Sequence, residues 1–135
     1  MKFEVYPELF QALPQACFGV VAVKGVDNTK TSSKIEALLA ENIQKCEEKY
    51  NGKKVKEQPE ILPYREAFRT LGINPNKFMC SIEALLTRIA KGKGFPHINT
   101  VVDLGNAVSI QYDLPIGAHD MDTVPEALCV DRKSV

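Results

Sequence analysis

The stretch Ile98-Asn99-Thr100-Val101-Val102-Asp103-Leu104-Gly105-Asn106-Ala107-Val108-Ser109-Ile110-Gln111-Tyr112 decides the fold. Its first half has the propensity of a β-strand, because β-branched residues dominate there. Its apolar and small residues nevertheless recur on one helical face: Ile98, Val101, Gly105, Val108 and Tyr112. We therefore predict a helix with Asn99 as its N-cap. A glycine within that helix would let another backbone or a ligand approach closely, at a cost of about 1 kcal/mol relative to alanine.

Three further helices are predicted upstream of this stretch. Ser33 and Glu36 have the spacing of a capping box, and apolar residues recur behind them at helical intervals up to Asn51-Gly52. Pro63 opens a second helix, because proline is favoured in a first helical turn. Ser81 is the expected N-cap of a third helix.

Three segments have the residue patterns of strands. Residues 16–26 are rich in β-branched side chains, and their unbroken apolar run predicts a strand that is buried on both faces. Met1 to Val5 predicts a short edge strand, and Ala127 to Val130 a last strand. The pattern therefore mixes helices with a few strands.

The composition is that of an ordinary globular protein of 135 residues, with 17 basic and 17 acidic side chains. This balance excludes a global field that would draw the whole chain onto nucleic acid or a membrane. The chain contains four widely spaced cysteines and two histidines, and the mixed segment after Met1 predicts that no secretory signal opens it. We expect a soluble, cytoplasmic protein with reduced thiols, without a metal site or a cofactor.

The charge is unevenly distributed along the chain. Residues 1–95 carry 15 bases and 11 acids, an excess of +4, whereas residues 96–135 carry 2 bases and 6 acids, an excess of −4. Basic patches occur around residues 49–56 and 88–93. Each patch is either a solvated helix end or a weak electrostatic surface for RNA.

The residues from 98 to 108 resemble a motif of the tRNA-editing domain in the beta chain of bacterial phenylalanyl-tRNA synthetase. That family has I-N-x-V-V-D-[IL]-T-N-Y-V, followed by a further motif that aligns with residues 113–120. The likeness is greater to the domain's free-standing relatives. It extends over about residues 64–122 and includes Tyr64-Arg65, Leu71-Gly72-Ile73-Asn74-Pro75, Ser81-Ile82-Glu83-Ala84-Leu85, Asn106-Ala107-Val108-Ser109 and Leu114-Pro115-Ile116-Gly117.

The resemblance implies an α+β fold of layered sheets and helices over residues 1–135, apparently without the family's C-terminal strands. It also implies a tRNA-binding pocket for an amino acid attached to the 3′ end of tRNA. In the synthetase, that pocket hydrolyses tyrosine mischarged onto the phenylalanine tRNA. The chain is either a shortened member or part of a longer protein. Unpaired sheet edges in a shortened member would favour a homo-oligomer.

The resemblance places a candidate site on the predicted helix and the loop that follows it. Asn106 is the expected catalytic residue, which would orient a water molecule against the ester. Expected substrate-binding residues are Gly105, Ser109, Gly117, His119, Asp120, Tyr64 and Arg65. Gly117 replaces the histidine of the synthetase, so the pocket imidazole is absent at that position.

Several of these residues have structural alternatives. Asn106 would serve equally well in a cap or an interhelical hydrogen bond. His119 could be a surface-loop histidine, and Arg65 could instead bond to Glu83 or to helix-end carbonyls. The function is therefore either hydrolysis of mischarged tRNA in trans, or non-catalytic binding of tRNA or of an amino-acid-like small molecule. A surviving role in oligomerisation alone is a third alternative.

Overall fold

The computed structural model describes residues 1–124 and 126–131. Its five helices are α1 (Pro7–Ala12), α2 (Ser33–Tyr50), α3 (Leu62–Thr70), α4 (Ser81–Ala90) and α5 (Thr100–Tyr112). Its strands are β1 (Lys2–Val5) and β2 (Ala127–Val130), and two short 3-10 helices cover Val55–Glu57 and Met121–Thr123. The chain is therefore α+β, as predicted.

Helices α2 and α5 lie side by side and run in the same direction. The Asn42 side chain donates a hydrogen bond to the carbonyl of Ala107 at 2.9 Å. One turn further along, the Cys46 thiol donates to the carbonyl of Ile110 at 3.6 Å. The contacts of α2 move along α5 in the same direction as the residue numbers increase. The N-termini of the two helices therefore lie at the same end of the pair.

The core forms where α2, α4, α5 and the connector before α3 meet. Its largest fully buried apolar side chains are Leu39, Tyr50, Ile61, Ile82 and Leu86. The apolar residues predicted to recur along α2 therefore pack against α4 in the interior, where burial of each large side chain contributes about 1.5–3 kcal/mol.

The terminal strands form a two-stranded parallel sheet in which Lys2 is opposite Ala127 and Val5 is opposite Val130. This confirms both terminal strand predictions. The buried core cluster contains no residue of either described strand. Packing between helices therefore provides the interior, and the sheet brings the two ends of the described chain together.

The strand predicted over residues 16–26 was wrong. Residues 17–26 are all exposed and contain no regular secondary structure, and Val21 is 89% exposed. A strand requires a neighbouring backbone to pair with its N–H and C=O groups. Since β1 pairs with β2, no described strand lies beside this segment, and its propensity alone is insufficient.

Two predicted caps are displaced by one residue. The N-cap of α2 is Ser32, whose hydroxyl accepts from the Ile35 N–H at 3.3 Å, so Ser33 is already helical. Cys80, rather than Ser81, occupies the N-cap of α4. The cap of α5 is Asn99, as predicted, and its side-chain oxygen accepts from the Val102 N–H at 2.9 Å.

No helix within the described parts of the chain is long and apolar enough to cross a membrane.

Candidate functional site

The loop after α5 folds back over the helix at Gly105. A Cβ atom built on Gly105 would lie 3.6 Å from Cγ2 of Ile116. An alanine at position 105 would therefore make ordinary van der Waals contact with the Ile116 side chain. The approach of a backbone or a ligand to Gly105 stays a prediction.

Ser109 fixes the start of the same loop. Its side chain is buried, and its hydroxyl donates to the carbonyl of Leu114 at 2.5 Å. Asp113 between them has a left-handed backbone with φ of 56°, which ends α5. Ser109 thus positions the loop. Its hydroxyl proton already forms the hydrogen bond to Leu114, so Ser109 cannot donate the same proton to a ligand.

Asn106 lies between the core-facing residues of α5 and the face that carries Gly105 and Ser109. It is half-buried. Within the described residues its side-chain amide forms no hydrogen bond, whereas Asn42 uses its amide to join two helices. The Asn106 amide therefore has both a donor and an acceptor to offer to a ligand.

The loop residues Gly117, His119 and Asp120 are exposed. The His119 ring folds back so that its Nε2 atom would lie 3.5 Å from a Cβ built on Gly117. Asp120 caps the second 3-10 helix by accepting from the Asp122 N–H at 3.0 Å. His119 and Asp120 therefore point to different partners, although they are adjacent in sequence.

Tyr64 and Arg65 lie on α3 and have different environments. The Tyr64 hydroxyl donates to the Asp113 carbonyl at 3.3 Å, so it contacts the end of α5 where the loop begins. Arg65 is buried and lies 2.7 Å from the Glu83 carboxylate. Its guanidinium also donates to the Pro75 carbonyl at 3.4 Å and to the Asn76 side chain. These contacts match the structural alternative for Arg65.

A partly buried polar cluster lies at the opposite end of the helix pair. The Tyr50 hydroxyl donates to Glu60 at 2.6 Å, and Lys49 lies 3.2 Å from Glu60 and 3.5 Å from Asp113. The Tyr50 bond lowers the pKa of Glu60, and Lys49 adds to this effect. Burial, the bond to Glu60 and the Asp113 charge raise the pKa of Tyr50. At neutral pH, Glu60 is therefore ionised, and the Tyr50 hydroxyl that donates to it stays protonated.

The half-buried cysteine at the start of α4 has no sign of a reactive thiol. Burial raises the pKa of Cys80, and the helix N–H groups oppose that shift without cancelling it. Burial likewise raises the pKa of Cys46 to about 11. Both thiols are therefore protonated at neutral pH, and protonated thiols are poor nucleophiles.

A cavity of about 250 Å³ lies where α2 and α5 begin. Residues 28–32, 35 and 36 line one wall, and residues 97–100 and 103 line the other. Side-chain hydroxyls, amides and charged groups predominate among these residues. The cavity walls nevertheless combine polar and apolar surface, because Ile35 and Ile98 are among them, and the cavity lies about one helical turn from Asn106 along α5.

His97 and Asp103 form a pair at this cavity that sequence reasoning missed. His97 Nδ1 lies 3.4 Å from one carboxylate oxygen of Asp103, and the other oxygen accepts from the Ile98 N–H at 3.1 Å. Asp103 is nearly buried, whereas His97 is exposed. The available signal was an acid in the first turn of α5 shortly after a histidine. No local pattern indicated that residues 28–32 would complete the cavity.

These features define an α+β domain with a cavity between two helix N-termini and a loop-covered helix face. The family model of the B3/4 domain matches residues 63–134, which is more than half of the chain. The chain therefore belongs to the B3/4 domain family, the domain found in the beta chain of phenylalanyl-tRNA synthetase, and the sequence resemblance is confirmed. No curated protein and no solved structure matched the chain.

Proposed function

We propose that this B3/4 domain binds the aminoacylated 3′ end of tRNA and hydrolyses mischarged tRNA in trans. One observation carries the proposal: the Asn106 side-chain amide forms no hydrogen bond within the described residues. It lies on α5 beside the loop that covers Gly105. Family membership supports a synthetase-related role. An amide held by a helix can orient a water molecule or an ester without being a strong base.

Several neighbouring groups would contribute to the same site. The loop backbone at Gly117 and the exposed side chains of His119 and Asp120 would supply polar groups to it. Tyr64 borders the loop through its bond to Asp113, whereas Arg65 acts indirectly by joining α3 to α4. Ser109 holds the loop in place. In this proposal, Asn106 contacts the substrate and the other side chains shape its surroundings.

The test is deacylation of phenylalanine tRNA mischarged with tyrosine. Removing one orienting donor typically costs about 10²–10³ in rate, so Asn106→Ala should lose most activity while its thermal unfolding stays unchanged. Asn51→Ala is the matched control, because Asn51 is exposed at the other end of α2. Unchanged deacylation by Asn106→Ala would remove Asn106 from the mechanism.

A non-catalytic binding module is the alternative outcome of that experiment. In that case, the wild type would show no measurable deacylation, but tyrosine or phenylalanine would raise its melting temperature. Asn106→Ala would lose this rise in melting temperature.

We also propose that the chain self-associates. Support comes from exposed apolar side chains in residues 17–26 and from a sheet that has only two described strands. Exposed strand edges and apolar patches favour association between copies.

A further inference from the structure

We propose that the cavity at the beginnings of α2 and α5 is the hydrolytic centre for this ester, with His97 as its general base. This inference rests on the proposed function and deepens it, because it assigns a proton acceptor to a domain that lacks the imidazole at position 117. It uses the His97–Asp103 pair and two side-chain amides of the same cavity.

In this proposal, Asp103 orients the His97 ring and favours the tautomer with its proton on Nδ1. Its second carboxylate oxygen is held by the Ile98 N–H, so the first oxygen remains directed at His97 Nδ1. A proton on Nδ1 leaves Nε2 as an acceptor, and His97 is exposed enough to receive a water molecule there. The distance of 3.4 Å is compatible with a pair that tightens when substrate binds.

Asn28 and Asn99 provide two donors for the developing oxyanion. The Asn28 side-chain oxygen accepts from the Val101 N–H at 3.0 Å, and the Asn99 oxygen accepts from the Val102 N–H at 2.9 Å. These bonds fix which end of each amide is the oxygen. Neither amide nitrogen donates a hydrogen bond within the described residues, although both residues line the cavity.

The helix N-termini themselves are not the source of this chemistry. Asn28, Asn99 and Ser32 already accept from the first N–H groups of α5 and α2. The other charged residues that line the cavity are Asp103 on α5, which contacts His97, and Lys30 and Glu36 on the opposite wall. With one base and two acids around it, the cavity suits a neutral ester better than a free phosphate.

The step balances as an ordinary ester hydrolysis. His97 Nε2 takes a proton from water, and the hydroxide attacks the carbonyl carbon of the aminoacyl ester. The amide nitrogens of Asn28 and Asn99 stabilise the oxyanion. The bond between the carbonyl carbon and the ribose oxygen then breaks, and His97 returns its proton to that oxygen. The products are the free amino acid and the tRNA hydroxyl.

Asn106 belongs to the same assembly through its position on α5. Asp103 and Asn106 are three residues apart, so they are neighbours on the helix surface. An ester over the cavity would direct its amino acid along α5 towards Asn106 and the loop. Asn106 then orients the substrate, and His97 removes the proton.

The first experiment measures kcat/KM as a function of pH for the wild type and for His97→Gln. The substrate is phenylalanine tRNA mischarged with tyrosine. A protonated imidazole cannot accept a proton, so the wild-type profile should fall on the acid side. His97→Gln should be slower by about 10²–10⁴ and lose that acid limb. Asp103→Asn retains an acceptor for the Ile98 N–H but misorients His97, and should lower kcat more than it changes KM.

The second experiment removes the amide donors while keeping the caps. Asn28→Asp and Asn99→Asp retain the oxygens that accept from α5, since aspartate is an excellent N-cap. Each should slow hydrolysis by about 10²–10³ without lowering the melting temperature. Asn51→Asp adds the same charge at the opposite end of α2 and should leave the rate unchanged.

The outcomes separate this inference from the proposed function. No deacylation by the wild type overturns both. Deacylation that depends on Asn106 but has the same rate and pH profile in His97→Gln overturns the cavity mechanism alone. Loss in His97→Gln and in both aspartate variants, with Asn106→Ala fully active, supports the cavity and overturns the role of Asn106.

Discussion

Arg65 of α3 and Glu83 of α4 form a buried ion pair with 2.7 Å between Nη1 and Oε1. The two residues are only 6% and 2% exposed. The Pro75 carbonyl and the Asn76 side chain occupy further guanidinium N–H groups, so the arginine is fully integrated into the packing of the two helices.

Breaking this pair should strongly destabilise the fold. Glu83→Ala leaves an unpaired buried cation, and Arg65→Ala an unpaired buried anion, so each should lower the free energy of unfolding by about 3–5 kcal/mol. Urea unfolding measures the loss. The exposed pair Arg69–Glu66 is the matched control, and Arg69→Ala should cost about 0–1 kcal/mol. A folded, stable Arg65→Ala with lost tRNA binding would instead support a substrate-binding role.

The Tyr50–Glu60 hydrogen bond should make stability depend on acid pH. Because this bond lowers the folded-state pKa of Glu60, the stabilisation is present above the unfolded-state value of about 4.3 and is lost as pH falls through the folded-state value. Tyr50→Phe should cost about 1.5–3 kcal/mol at neutral pH, as expected for a bond to a charged group. Unfolding curves at several pH values should show a smaller acid loss for Tyr50→Phe. An acid loss as large as that of the wild type would contradict the assignment.

Gly105 should tolerate a methyl group but not a larger side chain. An alanine Cβ would lie in ordinary contact with Ile116 at 3.6 Å, so Gly105→Ala should stabilise the helix by about 0.5–1 kcal/mol. Gly105→Leu would have to displace Ile116 and should lower the melting temperature. Thermal unfolding of the two variants checks this, and equal stabilisation by leucine would show that the loop does not lie against the helix.

Binding to tRNA should be weak and strongly dependent on salt. The excess of +4 over residues 1–95 is divided among small patches, and Lys49 already pairs with Glu60 and Asp113. We expect Kd values of about 10⁻⁴–10⁻⁶ M that rise steeply with salt. Replacing the exposed Lys53, Lys54 and Lys56 with glutamine should flatten that dependence. Titration at two salt concentrations measures it, and an affinity independent of salt would refute an electrostatic mode.

Self-association should depend on the exposed valines. Val21 is 89% exposed and Val23 is 61% exposed, so Val21→Lys combined with Val23→Lys removes apolar surface without touching the core. Light scattering should show association in the wild type that the double variant lacks. Lys53→Val, on another exposed segment, controls for a general effect of charge. A monomeric wild type over a wide concentration range would rule this out.

The α5 helix and the two terminal strands were predictable from local pattern. A helix satisfies its hydrogen bonds within a few residues, so periodicity and a cap such as Asn99 suffice to locate it. The same reasoning failed for residues 17–26, because β1 and β2 pair with each other and no described strand lies beside this segment. The cap of α2 was shifted by one residue because Ser32 and Ser33 are adjacent and either side chain can serve as a cap.

The amino-acid sequence by itself determined the helices, the terminal strands and the family to which the chain belongs. Tertiary structure alone decided which polar groups meet. Asn28 reaches the start of α5 across 73 residues of chain, and Arg65 reaches Glu83 across 18. The tertiary structure also leaves the Asn106 amide without a hydrogen bond among the described residues, and it places the Asp103 carboxylate beside His97. The physical reason is range: helix formation is governed by neighbours along the chain, whereas burial and pairing of polar groups are governed by neighbours in space.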